Sequence, residues 1–146
     1  MKDKFLPYKE SLELKLLGFD EPCMALYTLG LEENNVTQLQ FHLDHSRAYS
    51  SGTIIPIENN FFAIQKRNSD YGYVPVAPLY QDTFEWFRNK HNLHCEIKPI
   101  FDLNMKIKYY RIKINDITRF DIPIQKTHKD VELACIRKFI EIIKNV

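Results

Sequence analysis

Apolar and polar positions repeat with a helical period most clearly between Val76 and Leu93. On a helical wheel Leu79, Tyr80, Thr83, Phe84, Trp86, Phe87 and His91 fall in one arc, and Gln81, Asp82, Glu85, Arg88, Asn89 and Asn92 fill the other side. The pattern predicts a helix over 78–92. Pro78 suits a first helical turn, where its missing N–H costs nothing. Asp82 lies where the helix dipole favours a negative charge. Asn92 can take the left-handed conformation that ends a helix, with Leu93 folding back onto the apolar side. An arc this rich in aromatic residues needs a broad apolar surface to cover, most simply a sheet.

The same reading runs along the rest of the chain. Residues 7–17 predict a helix with Tyr8, Leu12 and Leu16 as a stripe, closed by Gly18 so that Phe19 reaches Leu14. Residues 23–28 and 36–43 read as the strands of a hairpin, joined by a turn at 30–35. The region 44–75 is the least regular part, with short apolar pieces at 54–57 and 61–64, the second a strand. Such segments tend to carry binding residues. Beyond the central helix, strands are expected at 93–101, 105–114 and 117–124, with turns at Asp102-Leu103-Asn104 and Asn115-Asp116. The apolar phase of 105–114 switches from odd to even positions at Tyr109-Tyr110, which predicts a β-bulge there. Pro123 marks an edge strand. Thr127 and Asp130 form a capping box ahead of a final helix over 128–144. The fold class is α+β: an antiparallel sheet with helices packed on one face, an α-β-β-β-α C-terminal half, and an N-terminal helix plus β-hairpin added to it. One domain is expected over 1–146, with 1–75 and 76–146 as its sub-units.

Composition adds constraints. The chain has 146 residues, of which 45% are hydrophobic, enough for a core. No apolar run approaches membrane-spanning length, and Met-Lys-Asp-Lys before Phe-Leu-Pro is no signal peptide. The expectation is a cytoplasmic protein without membrane contact. Cys23, Cys95 and Cys135 stand far apart, which reads as reduced thiols, with Cys95 and Cys135 inert on apolar faces. The net charge of +1 divides into an acidic first half and a basic second half, too small a difference to diagnose a nucleic-acid binder.

Chemistry-bearing residues fall in two groups. Lys106, Lys108, Arg111 and Lys113 recur along the middle strand beside an aromatic, and a bulge would bring them to one face. That face reads either as a phosphate-tracking surface with a stacking platform or as a solvated sheet face paired with Glu96 and Asp121. Arg67, Tyr71 and Tyr73, on the loop before the central helix, are the candidates for lining a ligand groove, with His45 a further member. His42, His45, His91 and His94 lack zinc spacing, so no metal is expected. The four glycines are dispersed, and no nucleophile, metallohydrolase or dinucleotide motif occurs. Neither enzymatic activity nor a cofactor is expected.

Gly18-Phe19-Asp20-Glu21-Pro22-Cys23, Ala77-Pro78-Leu79 leading to Trp86-Phe87-Arg88 and Lys90-His91, and Glu132-Leu133-Ala134-Cys135 together resemble a family of uncharacterised small proteins. These occur in Bacteroidetes genomes and their phages and prophages, crAss-like phages included. The resemblance covers most of the chain, with 30–75 longer and more irregular. It implies a phage or mobile-element origin, hence a host cytoplasm, and transfers no site residues. Residues 78–145 also resemble the double-stranded-RNA-binding domain in element order. They lack its Gly-Pro-x-His-like loop and offer only Lys126, His128 and Lys129 at the last helix. The functional expectation is a non-enzymatic binding protein that contacts an unidentified protein or nucleic acid. The alternatives are double-stranded RNA or DNA binding through the basic 78–146 half, and binding or sequestering of a small ligand. Aromatics at 61–80 leave a homodimer open.

Overall fold

Residues 75–79, whose last two were expected to open the central helix, are extended. Pro78 disfavours helical backbone at the residue before it, and its carbonyl accepts the Leu6 N–H at 2.8 Å. The Ala77 N–H donates to Ala25 (2.8 Å) and the Tyr27 N–H to Pro75 (3.0 Å). Bridges join Leu26 to Val76 and Phe5 to Leu79. This strap therefore belongs with the N-terminal residues. In the computed structural model, which describes residues 4–29, 37–41, 43–44, 54–57, 61–64, 67–70, 75–123 and 127–146, the chain divides into two units, Met1–Leu79 and Tyr80–Val146. The boundary lies four residues beyond the expected sub-unit division because the strap is hydrogen-bonded to the first unit.

In the first unit, α1 spans Tyr8–Leu16 after Pro7. It ends as its sequence dictates: Gly18 has φ 91°, and the Phe19 N–H returns to the Leu14 carbonyl at 2.9 Å. Strands β1 (Ala25–Leu29) and β2 (Thr37–Phe41) pair antiparallel, from Ala25↔Phe41 to Leu29↔Thr37. Phe5, Ala25 and Ala77 pack with Met24, Tyr27 and Leu79. The Tyr27 hydroxyl donates to the Leu6 carbonyl at 2.6 Å. Part of the region expected to be irregular is a second small sheet, in the order β3 (Leu43–Asp44), β5 (Phe61–Ile64), β4 (Ile54–Ile57). Its alternation is too short to stand out, and Pro56 is accommodated because β4 is an edge strand.

The second unit has the order α2 (Tyr80–His91), β6 (Cys95–Phe101), β7 (Ile107–Ile114), β8 (Thr118–Pro123) and α3 (His128–Lys144). It is an α-β-β-β-α arrangement on a three-stranded antiparallel sheet. Asn92 closes α2 at φ 52°, with the Leu93 N–H bonded to Phe87 at 3.1 Å. The capping box forms: the Thr127 hydroxyl accepts from the Asp130 N–H (3.2 Å) and the Asp130 carboxylate accepts from the Thr127 N–H (2.8 Å). Between α2 and α3 lies an aromatic cluster, Phe87 against Phe139 at 4.9 Å and Trp86 against Phe87 at 5.0 Å. Trp86, Phe87 and Phe139 are buried, as are Ile112 and Ile114 on the inner sheet face.

Two expectations are corrected here. The register shift lies at Ile100/Phe101: Ile100 pairs with Tyr109 and Phe101 with Ile107, so Lys108 is the extra residue. The phase switch was placed at Tyr109-Tyr110 because Tyr109 is apolar, but its register puts it on the outer face. Secondly, Cys95 and Cys135 are not separate thiols but a disulfide. Cys95 opens β6 on the face that α3 covers, and Cys135 lies on the buried stripe of α3. Their separation of 40 residues gave no sign of this. Cys23 is buried and lies outside the disulfide.

Candidate functional site

The sheet of the second unit has two unlike faces. Register and alternation place Cys95, Ile97 and Pro99, Tyr110, Ile112 and Ile114, and Thr118, Phe120 and Ile122 on the inner one. The outer face falls into cross-strand rows: Glu96, Lys113 and Arg119; then Lys98, Arg111 and Asp121; then Ile100, Tyr109 and Pro123, nearest the β6–β7 turn. The face thus grades from charged to apolar toward that turn.

Of the basic residues singled out on the middle strand, Arg111 and Lys113 share this face and both are paired. The Arg111 Nε donates to Asp121 at 3.1 Å, and its Nη2 donates to the Tyr109 hydroxyl at 3.1 Å. Its guanidinium carbon lies 5.5 Å from the centre of that ring. The hydrogen bond to Asp121, followed by the charges of Asp121 and Tyr109, raises the Arg111 pKa. The Lys113 Nζ is 2.6 Å from Asp116 and 3.9 Å from Glu96, and the hydrogen bond from Lys113 lowers the Asp116 carboxyl pKa. Lys108 is the bulged residue and Lys106 lies in the turn before β7. Both are exposed.

The β6–β7 turn is tightly built. The Asp102 Oδ1 accepts the N–H groups of Asn104 (2.8 Å) and Lys106 (3.0 Å), the Asp102 N–H donates to Lys106 (2.8 Å), and the Met105 N–H donates to Asp102 (3.1 Å). Met105 has φ 61°, a conformation that costs an ordinary side chain roughly 1–2 kcal/mol. On this turn three large apolar residues stand in solvent: Phe101 is 51% exposed, Met105 79% and Leu103 fully. Sequence reading absorbed Met105 into the strand and took residues 102–104 for an ordinary polar turn. The signal was there in the alternation of Phe101, Leu103 and Met105 through an Asp/Asn turn, where polar residues are usual.

Arg67 lies in the first unit and ties that unit together. Its Nη1 donates to the Asp20 carbonyl and its N–H to Asp70 Oδ2, each at 2.8 Å. Beside it Asn68, which sequence reading passed over, is buried and bonds the Phe19 carbonyl (2.6 Å) and the Val76 N–H (3.0 Å). Tyr71, Tyr73, His42 and His45 lie outside the described residues.

No family model, curated protein or solved structure matches the chain. The site therefore has to be read from its own chemistry.

Among the described residues no group of three or more His, Cys, Asp or Glu side chains is placed to hold a metal ion. His91 packs against Trp86 at 4.8 Å, with its Nε2 buried and unpaired; burial, followed by the charge of Lys90, lowers its pKa. A cleft of about 360 Å³ is lined by His91, Leu93, Ile142, Ile143 and Val146. It is largely apolar, and the His91 Nε2 lies beneath its surface.

Proposed function

We propose that the protein is a non-catalytic binding protein and that the β6–β7 hairpin makes the contact. One observation carries this reading: Phe101, Leu103 and Met105 stand exposed together on a turn held by Asp102. Single exposed apolar residues are ordinary, whereas a contiguous apolar patch marks an interaction site. The positive φ of Met105 supports the same reading. Glycine or asparagine would fit that position at lower cost, and backbone strain gathers at functional sites. An origin in a phage or other mobile element belongs to this proposal and rests on the resemblance of the segments around Gly18, Trp86 and Cys135.

Photo-cross-linking tests the contact without presupposing the partner. Benzoylphenylalanine replaces Leu103 in one variant and Leu16, 75% exposed on the first unit, in another. In producing cells, adducts, whether to a macromolecule or to lipid, are expected from position 103 in excess of position 16. Equal labelling from both overturns the reading.

Nucleic-acid binding is a second reading, favoured by the exposed Lys98, Lys106, Lys108 and Arg119. It is weakened by the ion pairs that already engage Arg111 and Lys113. A mobility shift that falls steeply with salt and weakens in Lys106→Ala/Lys108→Ala would favour it.

A further inference from the structure

We infer that the β6–β7 hairpin is a peripheral anchor for an anionic lipid surface. Phe101, Leu103 and Met105 enter the acyl boundary, and Lys98, Lys106 and Lys108 meet the head groups. The inference rests on the binding reading above and names its partner.

The layering of the hairpin is the first argument. From the turn inward, the hairpin presents a tip with three exposed apolar side chains, then on its outer face the row of Ile100, Tyr109 and Pro123, then the row of Lys98, Arg111 and Asp121. A bilayer changes along its normal in the same order, from acyl chains through an interfacial zone that suits the amphipathic tyrosine ring to charged head groups. A protein partner has no reason to be layered by depth.

Charge is the second argument. Lys98, Lys106 and Lys108 are exposed and have no ion pair among the described residues. The one acid at the turn, Asp102, is engaged by the N–H groups of Asn104 and Lys106. Lys98 lies behind the apolar tip, and Lys106 and Lys108 flank it on long stems that can carry their charges back to the head groups, which matches a surface that is anionic outside and apolar beneath. Arg111 is held by Asp121 and Tyr109, which keeps its guanidinium at the level of the tyrosine.

Shape and size decide against a second copy. The tip is convex, with Leu103 fully exposed, and three such side chains present roughly 400 Å². A stable dimer needs about 800 Å² from each partner, and two identical tips would oppose like charges. No helix of the described residues is long and apolar enough to cross a membrane, so the contact is superficial and reversible.

Sedimentation with lipid vesicles tests the inference on the full chain. The probes are phosphatidylcholine vesicles, alone or mixed two to one with phosphatidylserine. The wild type is expected to sediment with the mixed vesicles and weakly with the neutral ones. Leu103→Ser with Met105→Asn should reduce binding by at least about tenfold. Lys106→Gln with Lys108→Gln should erase the preference for phosphatidylserine, about fivefold for each lysine. All these side chains are exposed, so no variant should melt below the wild type; if the double tip variant does, Leu103→Ser alone replaces it.

Absence of sedimentation with either vesicle overturns the inference, as does equal binding by the tip variant. Equal binding of the wild type to both vesicles overturns the head-group assignment. Dimerisation or a nucleic-acid shift that the tip variant abolishes, with no vesicle binding, overturns the lipid partner and leaves the cross-linking result at Leu103 standing.

Discussion

Two turns connect the strands of the second unit, and they solve one backbone problem with opposite chemistry. The β7–β8 turn places Asn115 and Asp116 at φ 50° and 59°. These two residue types tolerate that conformation best after glycine. Asn115 also works as a cross-tie: its Oδ1 accepts the His94 N–H at 2.7 Å and its Nδ2 donates to the Asn92 carbonyl at 2.9 Å. Asp116 pairs with Lys113. Residue choice there follows from folding alone. The β6–β7 turn puts Met105 in the same left-handed region and exposes its side chain with those of Phe101 and Leu103. Nothing in the turn requires an apolar residue, and the backbone would be better served without one. The first turn is explained by stability, and the second carries a surplus that stability does not explain.

Substitutions that remove what the two turns share should act on both. Trp86, 6% exposed on α2, is the largest such element. Trp86→Ala should cost about 3–5 kcal/mol in denaturant unfolding, with amide exchange rising at both turns. Melting like the wild type would show that the helix faces the other way. Reducing the Cys95–Cys135 bond should cost about 3–4 kcal/mol, the loop entropy expected for its 40-residue span. Cys95 pairs with Ile114, so exchange should rise first at His94 and Asn115 and only later at Phe101 and Lys106.

Smaller changes should separate the turns. Asn115→Ala removes two hydrogen bonds and leaves alanine in a left-handed conformation, at a cost of about 1–2 kcal/mol. Met105→Asn should have the opposite sign and raise stability by about 0.5–1 kcal/mol, because it relieves the same strain. A stability loss there would mean that the methionine packs on the protein and is not surplus. The smallest effect is on pH. Burial lowers the folded pKa of His91, so the unfolded chain takes up a proton first as pH falls below the ordinary value of 6.5. Stability is therefore full above that value and declines below it. His91→Gln should flatten the decline in a melting series between neutral and mildly acid pH.

The fold was legible where one residue sets the backbone. Gly18 and Asn92 end their helices, Thr127 and Asp130 open the last one, and Asn115-Asp116 turns a hairpin; each acts through local sterics or a local hydrogen bond. What escaped depends on distant partners. The end of the strap, Pro78-Leu79, looked helical because Pro78 fits a helix start as well as it fits a strand, and only Leu6 and Ala25 decide between them. The disulfide needed β6 and α3 to meet. Of the candidate site, Lys106, Lys108, Arg111 and Lys113 were found by alternation. Acids on the neighbouring strands and in the β7–β8 turn engage Arg111 and Lys113 and leave aside the two lysines near the tip. The apolar tip was overlooked because hydrophobic residues are read as core by default.

The strap also determines where this chain can be divided. Its last residue, Leu79, bridges Phe5, and the next, Tyr80, begins α2, so no spacer separates the halves. A gene fragment that stops at Pro75 would leave the Ala25 carbonyl and the Leu6 N–H without their strap partners and hand residues 76–79 to the other half as a loose sticky end. A fragment that runs through Leu79 keeps the N-terminal portion self-sufficient and releases the remainder with a helix at its start. Recombination, which shuffles genes by the piece, would find one clean seam in this stretch, and it lies four residues after the proline that looks like the natural break.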